Sequence, residues 1–90
     1  MTPERKAALN AHLNDVNDAC ERLPAEPPIN REQFRETLCR AQEALSAAED
    51  IILGSSLTLD LAMFLMARVQ LAATNLGTAV AAYRAAWSST

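Results

Sequence analysis

Residues 57–71 read LTLDLAMFLMARVQL, and the run continues as ATNLGTAVAAYRAAW to Trp87. Only Asp60, Arg68 and Gln70 interrupt the first stretch. At 100° per residue a surface helix shows one apolar stripe and a polar remainder. Here Thr58, Ala62, Leu65, Val69, Ala72, Leu76, Val80, Tyr83 and Trp87 share one face. Leu59, Met63 and Met66 lie nearly opposite, and Leu57, Phe64 and Leu71 occupy a third flank. A helix that is apolar all round is buried all round, and a chain of 90 residues has little else to bury it with.

Working outward, the composition admits only helices. Half of the chain is hydrophobic, but much of that half is alanine, the best helix former and a poor source of buried area. Two glycines and few β-branched residues argue against a sheet. One domain spanning residues 1–90 is expected, near the size at which a single core barely suffices. The fold class predicted is all-α: an antiparallel helical hairpin plus a long third helix, a three-helix bundle that assembles as a homodimer.

The first helix is placed at 3–23. Thr2 caps it, Pro3 takes the first helical position and Glu4 faces the positive end of the dipole. Leu9, Leu13, Val16, Cys20 and Leu23 make one seam, and Pro24 stops the hydrogen-bond ladder. After PAEPPI the second helix, 31–53, opens on Asn30 with Gln33 three residues on, a capping box, and Ile29 and Phe34 are placed as a hydrophobic staple. Phe34, Leu38, Ala41, Leu45, Ala48 and Ile52 form its seam, and Gly54 is expected as a left-handed terminal residue. The third helix spans 57–87, capped by Ser56 or Thr58.

Charge order sets a register for the hairpin. Both leading helices run basic to acidic, so an antiparallel pair turning near residue 27 puts Arg5 and Lys6 opposite Glu49. It also puts Asp18 and Glu21 opposite Arg35 and Arg31. Exposed pairs contribute only about 0–1 kcal/mol each, so they select register more than they stabilise. In the same register Cys39 sits about 7 Å along the axis from the level of Cys20, beyond disulfide reach. Two buried free thiols are expected.

At 1.5 Å per residue the third helix is about 46 Å long, against about 31 and 34 Å for its neighbours. It must overhang them or break near Gly77, and two helices cover only two of its three flanks. Four large side chains left in water would forgo about 1.5–3 kcal/mol each, and an exposed apolar patch of that size marks a protein contact. Ala73, Gly77, Ala81 and Ala85 recur on the same side, where small residues let another helix approach closely. The expected interface therefore comprises Leu59, Met63, Phe64, Met66, Arg68, Leu71, Ala73, Gly77 and Ala81, with a two-fold homodimer as the economical arrangement. Met63, Phe64 and Met66 also form the soft kind of surface that accepts an amphipathic helix. Tyr83 and Trp87 are expected to close the bundle end against the start of the first helix or against a sister chain.

Catalytic chemistry is not written in the chain. His12 is the only histidine, and with Asp15 it supplies two potential ligands, too few for a metal site. No nucleophile–base pair can be named, so no catalytic residue, metal or cofactor is expected. Asp60 reads as a dipole partner, and Arg68 as a rim charge or the mate of a partner's carboxylate. The acids Glu43, Glu49 and Asp50 read as a solvated face.

The function expected is that of a non-enzymatic protein–protein interaction module, a small adaptor, regulator, inhibitor or secretion-type chaperone. Its partners would be a second copy of itself and another protein. With a net charge of −3 and scattered basic residues, the chain lacks the clustered positive face that nucleic acid demands. A subunit of a DNA-binding transcriptional regulator is thus only the alternative, one that positive potential along a dimer face would favour. A membrane-active helical protein is a second alternative. It is disfavoured because Asp60, Arg68 and Arg84 interrupt a run that would need about 20 apolar residues. The opening MTPERKAALNAHLND lacks a signal-peptide core, so a cytoplasmic location is expected.

Overall fold

Each helix starts where a side chain can satisfy an amide left without a partner in the first turn. In the computed structural model, which describes residues 1–88, α1 (Pro3–Arg22) opens on Thr2, whose hydroxyl accepts from the Arg5 N–H at 3.2 Å. The second helix, α2 (Arg31–Leu53), opens on the complete capping box. Asn30 Oδ1 accepts from the Gln33 N–H at 2.8 Å, and Gln33 Oε1 accepts from the Asn30 N–H at 3.3 Å. For α3 (Leu59–Ser88) the cap is Thr58, whose Oγ1 accepts from the Leu61 N–H. The helix therefore starts later than residue 57, and Leu57 packs from outside it against the core. Gly54 departs from expectation. Its φ is −84°, in the right-handed region. What its lack of a Cβ provides is room, since a Cβ there would stand 3.0 Å from the Asp50 carbonyl oxygen.

The three helices pack against one another, and no strand occurs among the described residues. The core takes Leu9, Leu13 and Val16 from α1, Leu23 from the residue that caps it, and Leu65, Val69, Ala72, Leu76 and Tyr83 from the expected face of α3. Ala79 joins them there, while Thr58 and Trp87, expected on that face, are exposed. Two seams are shifted. Ala19 is buried where Cys20 was expected, and Cys20 is only half-buried. In α2 the buried line is Thr37, Ala41, Ala44, Ala48 and Ile52, while Phe34, Leu38 and Leu45 lie half-buried at its edge. The cause is steric: small side chains on the central line let the helix backbones approach, and the large ones wrap the sides of the contact.

This rotation overturns the charge register. Arg5 Nη1 donates to the Gly54 carbonyl at 2.8 Å and to Ser55 Oγ at 3.2 Å, more than a turn past Glu49. Arg31 lies with its guanidinium carbon 5.7 Å from the centre of the Trp87 ring, on the α3 side, rather than facing Glu21. Arg35 lines the same side. The slip brings residue 39 to about the level of Cys20, but Cys39 lines the gap between α2 and α3 and is exposed. Both thiols are free, and only Cys20 is partly buried.

Helix α3 runs unbroken through Gly77. At about 45 Å it is some 10 Å longer than α2, so its neighbours cannot cover it end to end. Its last turns meet the start of α2, not the start of α1. In an up–down–up chain the start of α1 lies at the other end of the bundle. None of the helices, over the described residues, is long and apolar enough to cross a membrane.

Candidate functional site

Two surfaces hold chemistry that the core does not use. The first is the outward side of α3. Leu59 is 75% exposed, Met63 63%, Phe64 62% and Leu71 62%. Ala73, Gly77 and Ala81 are exposed as well, and a Cβ added at Gly77 would meet nothing within 4 Å. At 100° per residue Leu59, Met63, Ala73, Gly77 and Ala81 form one longitudinal stripe. Phe64 and Leu71 lie on a separate flank, more than a quarter-turn round the helix, and Leu71 borders α1. Arg68 is exposed further round, at a shallow hollow shared with Leu13 and Asn17 of α1. Met66 is different: it is half-buried and packs on the core. Along the whole of α3 only Asp60, Arg68 and Arg84 carry charge.

The second surface is a cleft of about 500 Å³ between the start of α2 and the end of α3. Its aromatic wall is built by topology, because antiparallel α2 and α3 bring Phe34 and Tyr83 to one level. The two rings stack with centroids 4.1 Å apart and planes 7° from parallel. Trp87 meets Tyr83 edge-on at 6.1 Å. The Tyr83 hydroxyl donates to the Ile29 carbonyl at 2.8 Å, tying the end of α3 to the segment that leads into α2. Arg31, Arg35 and Arg84 supply the charge around it.

Reading the sequence alone missed this cleft. Charge order assigns Arg31 and Arg35 to the acids of α1. Tyr83 and Trp87 are expected at the start of α1 or at a sister chain, of which the first is overturned by the Phe34–Tyr83 stack. The available signal was the antiparallel topology itself, which places an Arg-x-x-Phe-Arg turn beside a Tyr-Arg-x-x-Trp turn.

Elsewhere the surface carries mixed charge. A groove between α1 and α2 is lined by Asp15, Asp18, Glu21 and Glu36 together with Arg22 and Arg40. Among the described residues no three His, Cys, Asp or Glu side chains converge as metal ligands would. Burial pushes the Cys20 thiol up from its ordinary value; a backbone hydrogen bond opposes part of the rise, and the neighbouring Glu21 carboxylate adds a lesser upward push. A raised thiol is poorly nucleophilic. No family model, curated protein or solved structure matches the chain.

Proposed function

We propose that this chain is a non-enzymatic interaction module that docks through the outward side of α3, in the first place onto a second copy of itself. The observation that carries the reading is uncovered apolar surface, Leu59 and Met63 on the stripe and Phe64 and Leu71 on the flank next to it. Left in water, these side chains forgo about 1.5–3 kcal/mol each, a large share of the roughly 5–15 kcal/mol that holds a small domain together.

Size complementarity supports the second copy and selects a geometry. Large side chains occupy the first half of the stripe and small ones the second. Two α3 helices running antiparallel about a two-fold axis at Gln70 bring Leu59 opposite the partner's Ala81 and Met63 opposite the partner's Gly77. Knobs then face hollows along the full contact, and an isologous pairing closes on itself. A parallel pairing would set Met63 against the partner's Met63 and leave the alanines facing one another across a gap.

Sedimentation velocity at micromolar concentration tests the reading. The wild type is expected at twice the 9.8 kDa chain mass, and Met63→Glu at a single chain mass with its helical circular dichroism intact. A wild type that sediments as a single chain overturns the homodimer. A Met63→Glu chain that unfolds makes position 63 part of the core.

A further inference from the structure

We infer that the cleft between the start of α2 and the end of α3 is a binding site for a small organic anion with a planar apolar body, an aromatic carboxylate or sulfonate in kind. Three independent features of the cleft converge on that chemistry.

The first is segregation of charge. The chain carries 11 acidic residues against 8 Lys and Arg, yet three of its arginines line this one cleft and, among the described residues, no carboxylate does. Like charges held together lower stability, so a cluster of guanidinium groups facing a concave wall attracts an anion into it. Arginine's planar fork matches a carboxylate or sulfonate in two-point fashion.

The second is the floor. Phe34, Tyr83 and Trp87 give it aromatic area, and Leu38 extends it with an aliphatic edge. A small inorganic anion would leave that floor wet. A planar hydrocarbon body would cover it.

The third is rigidity and size. The Tyr83 hydroxyl is pinned by the Ile29 carbonyl, its ring is stacked on Phe34, and the Arg31 guanidinium rests over Trp87. The wall therefore exists before any ligand arrives, which lowers the ordering cost of binding. At about 500 Å³ the cleft falls within the range of small-molecule sites. A macromolecular face would be broader and flatter.

The test uses 8-anilinonaphthalene-1-sulfonate, with energy transfer from Trp87, the only tryptophan, as the readout. Saturable micromolar binding is expected. N-phenyl-1-naphthylamine, which has the same rings without the sulfonate, is expected to bind at least tenfold more weakly. Arg35→Gln combined with Arg84→Gln, two exposed positions, should weaken the sulfonate at least tenfold and flatten its salt dependence. Lys6→Gln, which removes a positive charge at the start of α1 and so at the far end of the bundle, should leave it unchanged. A second readout is alkylation of Cys39, which lines the cleft; the bound dye should slow it and spare Cys20. Equal binding of the neutral dye, wild-type affinity in the double arginine variant, or an equal loss in Lys6→Gln would each overturn the assignment. So would an acidic, tryptophan-bearing peptide that displaces the dye at lower concentration than 2-naphthoate does, because the occupant would then be a protein segment.

Discussion

Gly77 separates a free helix face from a helix–helix contact by the sign of one substitution. It sits in the middle of α3, exposed, with open space where a Cβ would go. In an isolated chain Gly77→Ala should therefore stabilise by about 0.8–1 kcal/mol, the propensity difference in a helix interior. For a domain of this size that raises the melting temperature by roughly 4–8 °C. Gly77→Leu should do nearly as well, since leucine is close to alanine in helix propensity. In the antiparallel dimer the same leucine enters the hollow that receives the partner's Met63, and it does so twice, once on each side of the two-fold axis. Overpacking costs about 1–3 kcal/mol per site, so even the low end sums to about 2 kcal/mol, a 30-fold rise in the dissociation constant. Melts followed by circular dichroism at submicromolar concentration report the monomer gain, and sedimentation across a concentration series reports the dissociation constant. Gly77→Leu should raise the first and weaken the second. Adding Met63→Ala should restore most of the affinity, because the large and small partners have only exchanged places. A Gly77→Leu chain that is more stable and dimerises like the wild type would refute the pairing. Failure of Met63→Ala to rescue would refute the register.

Three further outcomes are expected. Asn30→Ala removes one half of the reciprocal cap on α2 and should cost about 0.5–2 kcal/mol in urea denaturation, whereas Asn30→Gly should cost only a few tenths. Tyr83→Phe keeps the stack on Phe34 but leaves the Ile29 carbonyl without its donor. A loss of about 0.5–1.5 kcal/mol with unchanged denaturant slope is expected, and a neutral result would mean that water replaces the hydroxyl. Iodoacetamide should modify exposed Cys39 first, by mass spectrometry of timed samples, and reach Cys20 at appreciable rate only above the ordinary thiol range. Because the folded state holds the Cys20 proton more tightly than the unfolded state, that contribution to stability is complete below the ordinary thiol value. It is lost as pH rises through the raised one, so Cys20→Ala should flatten the alkaline side of the stability profile.

Those features that depend on one segment at a time were legible from residues alone. Thr2 with Pro3 and Asn30 with Gln33 start helices through contacts three residues apart, and the α3 core face follows a strict helical period. Features that depend on how two helices meet were not. Periodicity locates an apolar arc but not which part of it lies on the line of closest approach. In α2 the expected seam of Phe34, Leu38, Ala41, Leu45, Ala48 and Ile52 holds at Ala41, Ala48 and Ile52, but close packing puts Thr37 and Ala44 on the line and leaves Phe34, Leu38 and Leu45 at its edge. That rotation carried Arg31 and Arg35 from the acids of α1 to the aromatic end of α3.

The same rotation links the two surfaces. A hairpin with an alanine-lined seam is slim, and a slim hairpin supports a third helix along one stripe only. Leu65, Val69, Ala72 and Leu76 fill that stripe, which leaves Leu59, Met63 and Phe64 outside it. The large residues displaced from the α2 seam reappear on its edge, where Phe34 and Leu38 become the floor of the arginine-lined cleft. Replacing the seam alanines by larger residues would therefore act at a distance. Ala44→Leu should cost about 1–3 kcal/mol by overpacking. It should also spread α2 from α1 and disturb the Phe34–Tyr83 stack, which the near-ultraviolet circular dichroism of the aromatic cluster would register. An unchanged aromatic spectrum in a destabilised Ala44→Leu chain would mean that the cleft is held by its own contacts and owes nothing to the seam.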